Sequence, residues 1–139
     1  MFKITASASF DSAHFLAGYH GKCANLHGHR WKIEVTAGGD YLRESGEQRG
    51  MVMDFGVLKR EVKELADSYD HAFIYEDGSL RVETVAALKS EQFRLIAVPY
   101  RPTAENFACA FYWKLRQDGI PVLSVTVYES PENAATYSE

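Results

Sequence analysis

From Phe2 to Phe10 the apolar side chains fall on even positions, Phe2, Ile4, Ala6, Ala8 and Phe10, with Lys3, Thr5, Ser7 and Ser9 between them. A period of two predicts a strand with one buried face. If that strand runs on without a bulge, Ser12 and His14 share the buried face. Phe15 to Leu26 holds two glycines, an Asn and a Lys and reads as a loop. A second strand is predicted from about His27, where Trp31, Ile33 and Val35 alternate with Lys32, Glu34 and Thr36. His27 and His29 have the parity of its apolar face.

Gly38 to Gly50 is polar and glycine-containing, an exposed connection with room for a little strand. Asp54 is a candidate N-cap for a helix over Gly56 to Ser68, in which Leu58, Val62, Leu65 and Tyr69 recur at helical spacing. Asp70-His71 ends that helix, Ala72 to Tyr75 suits a strand, and Asp77-Gly78 is a turn dipeptide. Glu83 to Gln92 is open between helix and strand, and Phe93 to Val98 reads as a strand ended by Pro99. A second helix is predicted from Thr103 to about Gln117, with Phe107, Phe111 and Leu115 on one stripe and Gly119 as its stop. In a last strand, Leu123, Val125 and Val127 alternate with Ser124, Thr126 and Tyr128. This order lacks regular strand-helix alternation and predicts an α+β fold, an antiparallel sheet covered on one face, as a single domain over 1–139.

The length, 139 residues with 46% hydrophobic, supports a core that needs neither disulfides nor a structural metal. Any metal site therefore calls for a chemical reason. Fifteen Lys and Arg against nineteen Asp and Glu give a net charge of −4 without a basic run, which disfavours nucleic-acid partners. No apolar run approaches a membrane span and the start alternates rather than forming a signal block, so the expected location is the cytoplasm, with no membrane partner. Two cysteines, Cys23 and Cys109, make no disulfide framework.

His14, His27 and His29 fall at the end of one predicted strand and the start of the next, all on apolar faces. Antiparallel neighbours would bring them together. Three histidines with an open coordination position are the pattern of catalytic zinc, whereas structural zinc usually closes its shell with cysteines. A His-x-His pair alone is equally two surface rings; the third histidine, and a cysteine four residues before His27, favour the metal. Cys23 lies beside Lys22, and a cation or a nearby zinc favours thiolate, so it is a base or nucleophile, a fourth ligand, or an inert loop thiol. Cys109, between Ala108 and Ala110 in the second helix, reads as packing. Asp70 beside His71 is either a carboxylate-oriented imidazole for proton transfer or simply a helix end and a turn. His20 has no identifiable partner.

The blocks F-D-S-A-H (Phe10 to His14), C-A-N-L-H-G-H (Cys23 to His29), M-V-M-D-F-G (Met51 to Gly56), Asp70-His71, P-T-A-E-N (Pro102 to Asn106) and V-T-V-Y-E (Val125 to Glu129) occur in that order. Together they resemble the 6-pyruvoyl-tetrahydropterin synthase superfamily, and the C-x-x-x-H-G-H spacing is similar to the branch that forms 6-carboxy-tetrahydropterin. The resemblance implies His14, His27 and His29 as zinc ligands, Cys23 as catalytic thiol, and Asp70 with His71 as proton relay. It also implies Glu129 as the anchor of the pterin edge, with Thr103 and Glu105 in the neighbouring substrate-binding motif. The implied fold is the tunnelling fold, a four-stranded antiparallel sheet with two helices on one face, assembled into a barrel-like homo-oligomer, generally a hexamer, with active sites between subunits. One departure is the long stretch between His71 and Pro102, in which Glu83 to Phe93 matches no motif.

The activity so implied is a zinc-dependent lyase that converts 7,8-dihydroneopterin triphosphate to 6-carboxy-5,6,7,8-tetrahydropterin, acetaldehyde and triphosphate, toward queuosine and other 7-deazapurines. Lys22, Arg30, Lys32 and Arg101 are the candidate cations for the triphosphate, by proximity in sequence. The alternatives are a 6-pyruvoyl-forming or aldol-cleaving relative, and a non-catalytic pterin- or zinc-binding protein.

Overall fold

The computed structural model describes residues 1–139. Two 13-residue strands, β1 (Phe2–His14) and β2 (His27–Gly39), pair antiparallel along their whole length, from Phe2 opposite Gly39 to His14 opposite His27. The period-two pattern is realised in both: Phe10, Trp31, Ile33 and Val35 are buried, and Phe10 stacks on Trp31 with ring centroids 6.0 Å apart. β2 continues through Gly38 and Gly39, which the sequence assigned to the following connection. A Cβ on Gly38 would lie 2.5 Å from the Phe2 carbonyl oxygen and 2.6 Å from Leu123, so only glycine admits this close approach.

After the long connection comes α1 (Phe55–Asp67), opened by Asp54, whose carboxylate accepts from the Gly56 N–H at 2.6 Å. The chain continues through β3 (Ala72–Glu76), α2 (Val82–Ser90), β4 (Leu95–Val98), α3 (Ala104–Gln117), β5 (Val122–Ser130) and β6 (Asn133–Ser138). Thr103 caps α3, its hydroxyl accepting from the Asn106 N–H at 3.2 Å. α1 buries Leu58, Val62, Leu65 and Ala66, and α3 buries Phe107, Ala108, Phe111, Tyr112 and Leu115. These side chains join the inner faces of β1, β2 and β5 in one apolar core.

The sheet departs from the antiparallel, four-stranded expectation. It has six strands in the order β4-β3-β1-β2-β5-β6, with three helices rather than two. Neighbours pair antiparallel along β1, β2, β5 and β6, but β3 runs parallel to β1 and β4 parallel to β3. A parallel pair needs a crossover, and α2 supplies it. The long stretch after His71 is thus a strand-helix-strand unit on the sheet edge, not a hairpin, and α2 buries no residue. Two more details differ. The register of β5 against β2 shifts between Thr36 and Ala37, which takes Leu123 out of the alternation and buries Val122 in its place. β6 follows a tight turn from Ser130 to Asn133 and is too polar to show as a strand in the pattern.

Leu58→Ala in α1 should therefore cost about 2–5 kcal/mol through an unfilled core cavity, and Asp54→Ala only about 1 kcal/mol through the lost cap. Urea unfolding monitored by circular dichroism measures both, and equal losses would contradict the packing described.

Candidate metal centre and active site

The register of β1 against β2 sets His14 opposite His27 and Ser12 opposite His29, on the helix-covered face. The ligand atoms of His14, His27 and His29 all lie within 4.8 Å of one another. Two rings are oriented from behind: His14 Nδ1–H donates to the Pro102 carbonyl at 2.7 Å, and His27 Nδ1–H donates to the Asn25 carbonyl at 2.6 Å. That tautomer leaves a lone pair on each Nε2, and these two nitrogens are 3.0 Å apart. His29 Nε2 is buried without a hydrogen-bond partner. A Glu129 carboxylate oxygen stands 3.5 Å from His14 Nε2 and 3.3 Å from His29 Nε2. Converging lone pairs and a carboxylate repel one another unless a cation lies among them.

Protonation is a poor source of that cation. Burial, with smaller contributions from His27 and His29, lowers the His14 pKa to about 4, against the Pro102 hydrogen bond that raises it. Burial also lowers His29, although Glu129 opposes this. Neutral imidazoles are metal ligands. A tetrahedral ion with nitrogens at about 2.0–2.1 Å would separate those nitrogens by about 3.3 Å, which suits this cluster, and the all-nitrogen donor set suits zinc.

Glu129 joins the cluster to a pocket of about 330 Å³, lined also by Thr103, Glu105, Tyr19, Arg101 and Asn133. The three residues that the resemblance assigned to substrate thus share one cavity, because Thr103 and Glu105 begin α3 while Glu129 ends β5. Tyr19 and Asn133 were not foreseen; Asn133 belongs to the unrecognised β6, and Tyr19 to a loop with no periodic signal. Cys23 sits in a short 3-10 turn, Lys22–Ala24, and is half-buried between exposed neighbours. Its carbonyl accepts from the Leu16 N–H at 2.9 Å, which folds the loop back on the end of β1. Cys109 is half-buried in α3.

Asp70 and His71 lie elsewhere. Asp70 accepts from the Asp11 N–H and from His71 Nδ1–H, both at 2.8 Å, and His71 N–H donates to the Asp11 carbonyl at 2.6 Å. His71 has φ +54°, a conformation non-glycine residues seldom adopt, and its side chain is 79% exposed. Arg94 secures the corner, donating to the carbonyls of Asp67, Ser68 and Asp70, a clamp that sequence spacing did not disclose. The imidazole opens on a depression lined also by Asp11, Ser12, Ala13, Gly28, His29 and Arg30. Strand alternation turns Asp11 and Arg30 away from the helices, and His71, held by Asp70, makes no hydrogen bond to the three histidines. Arg30 is engaged by Asp11 at 3.3 Å on that same face, and Lys32 lies 5.0 Å from the Tyr128 ring.

An α+β chain that sets three imidazoles beside a pocket lined in part by a carboxylate has the makings of a metal-dependent enzyme acting on a small polar ligand. The family model described as 6-pyruvoyl tetrahydropterin synthase matches residues 3–139, and the chain belongs to that family. It is 41% identical over the full length of both chains to a Haemophilus influenzae protein named 6-carboxy-5,6,7,8-tetrahydropterin synthase. A Synechocystis protein of the same name is 35% identical, over 99% of this chain and 93% of its own. Among solved structures, the 6-pyruvoyl tetrahydropterin synthase of Caenorhabditis elegans superposes with a TM-score of 0.65 at 26% identity, covering 99% of this chain and 95% of that one. An uncharacterized protein from Wolinella succinogenes shares the fold, with a TM-score of 0.82 at 21% identity over 99% and 98% of the two chains. No helix is long and apolar enough to cross a membrane.

Zinc added to metal-free protein at roughly 100–1,000 times its Kd should stabilise the fold by about 2.7–4.1 kcal/mol, and His27→Ala should abolish most of that gain, as thermal melts will show. Asp70 is held below the usual carboxylate range, first by the Asp11 N–H and then by the His71 hydrogen bond. A depressed pKa contributes stability above the unfolded-state value, lost as pH falls through the folded one. The destabilisation by Asp70→Asn should accordingly be larger at neutral pH than in strong acid; a penalty independent of pH in urea titrations would refute this.

Proposed function

We propose that the protein is a zinc-dependent lyase that takes 7,8-dihydroneopterin triphosphate to 6-carboxy-5,6,7,8-tetrahydropterin, acetaldehyde and triphosphate. Atom balance requires one water. The observation that carries the proposal is the meeting of the His14, His27 and His29 cluster with Glu129, which lines a pocket together with Thr103 and Glu105. The full-length relatives named for the 6-carboxy product favour it over the 6-pyruvoyl product.

His14, His27 and His29 would hold the zinc, which when bound polarises the side-chain oxygens of the substrate and stabilises negative charge developing there. Glu129 accepts hydrogen bonds from the amino and ring N–H edge of the pterin, while Thr103 and Glu105 flank it and fix the ring in the pocket. That leaves the side chain of the substrate directed at the histidines. Cys23, as thiolate, takes a proton from the substrate side chain. His71, oriented by Asp70, returns one, and the carbonyl formed in this redistribution permits carbon-carbon scission.

The exposed His71, held by Asp70 and outside the histidine cluster of its own chain, supports the reading that it serves the site of a neighbouring copy. On this reading the working form is a homo-oligomer with active sites between subunits, and the family resemblance implies a hexamer. Such an enzyme works in the cytoplasm, on the route to queuosine and other 7-deazapurines.

Incubation with 7,8-dihydroneopterin triphosphate under anaerobic conditions should release acetaldehyde, with a 6-carboxy product by mass spectrometry. A 6-pyruvoyl product would move the chain to the other branch of the family, and no turnover by the zinc-loaded oligomer would overturn the proposal. Cys23→Ala should keep zinc and fold while losing turnover by about 10²–10⁴-fold, the range for a positioned acid-base group. Glu129→Gln should mainly raise KM, and unchanged kinetics would remove Glu129 from its role.

A further inference from the structure

We propose, taking Cys23 as the reacting thiol, that Arg101 is the positioning residue that holds the thiol loop against the metal site. The loop between β1 and β2 is exposed from Gly18 to Leu26 except at Cys23. Its hydrogen bonds are otherwise internal or to its own flanking strands: Leu16 N–H to Cys23 O, Ala24 N–H to Gly21 O, Asn25 N–H to Lys22 O, and His27 to Asn25 O. The bond that reaches another part of the fold comes from Arg101, whose Nη2 donates to the Ala17 carbonyl at 2.6 Å. Ala17 follows Leu16, the residue that grips the Cys23 carbonyl, so one guanidinium sets the base from which the thiol projects. The same guanidinium lies over Gly18, where an added Cβ would come to 3.5 Å from Nη2.

Arg101 is itself held firmly. Its carbonyl accepts from the Thr103 N–H at 2.8 Å and from the Asn106 side-chain amide at 2.9 Å, which ties it to the first turn of α3. The next carbonyl, that of Pro102, orients His14. Two adjacent residues therefore reference the thiol loop and a metal ligand to the same rigid helix start, and α3 also presents Thr103 and Glu105 to the pocket. Displacements of about 1 Å in such a constellation cost up to about a hundredfold in rate. Arg101 is half-buried and lines the pocket, but its Nη2 is engaged by the Ala17 carbonyl, and the split between kcat and KM separates this positioning part from contact with the triphosphate.

The test uses the zinc-loaded protein with Arg101→Ala and Arg101→Lys. In Arg101→Ala, kcat should fall about 10–100-fold while KM stays within about twofold and bound zinc is unchanged. Iodoacetamide should alkylate Cys23 about fivefold faster or more, by peptide mass mapping, with Cys109 as the unchanged internal reference, because local opening exposes the thiol. Arg101→Lys, still able to donate to one carbonyl, should recover part of both effects. Wild-type protection of Cys23 in Arg101→Ala would overturn the proposal. So would a loss confined to KM and repaired by lysine, which would mark a contact with anionic substrate. If the wild-type protein gives no product, the alkylation result still decides the role of Arg101, and only the lyase assignment falls.

Discussion

The whole site depends on the register between the two long strands. With His14 opposite His27 and Ser12 opposite His29, three imidazoles fall on one face at one end of the pair. A slip of one residue would send every side chain of a strand to the other face, so the register is held by all the apolar pairs along it. Phe10 against Trp31, Ala8 opposite Ile33 and Ala6 opposite Val35 anchor the hydrophobic end of the alignment. The histidines at the polar end inherit their positions from that packing. Their closeness to one another and to a carboxylate is imposed by the core, and a cation among them would relieve it.

Around this pair the rest of the chain supplies orientation. Backbone carbonyls of Pro102 and Asn25 accept the two Nδ1–H groups and thereby aim the nitrogens that matter. Glu129 arrives from the end of β5, beside β2, so the same sheet that places the histidines also places the carboxylate. The start of α3 closes the pocket. Helix caps, turns and strand ends thus carry most of the chemistry, while the apolar stretches between them keep those ends in fixed relation.

The edge unit made by β3, α2 and β4 adds a parallel pair to an otherwise antiparallel sheet. Its beginning is the Asp70-His71 corner, bonded through the Asp11 backbone to the edge of β1 and clamped by Arg94. This geometry leaves the imidazole exposed and outside the histidine cluster. At this corner His71 combines a strained φ with an exposed ring whose Nδ1–H is held by Asp70.

Local periodicity determined a good deal about this protein. Period-two alternation placed His14, His27 and His29 on buried faces, and helical spacing marked Leu58, Val62, Leu65, Phe107, Phe111 and Leu115 as core, since both patterns are properties of a few consecutive residues. Motif resemblance, not spacing, singled out Glu129, Thr103 and Glu105. Tertiary structure alone decided the rest: that β3 and β4 pair parallel through α2, that the polar β6 completes the sheet and lends Asn133 to the pocket, and that His71 stands outside the cluster. It also decided the work of Arg94 and Arg101, whose partners are carbonyls of distant segments. A carbonyl is the same in every residue, so nothing in the one-dimensional pattern marks which one a guanidinium will find; only the folded chain brings them within reach.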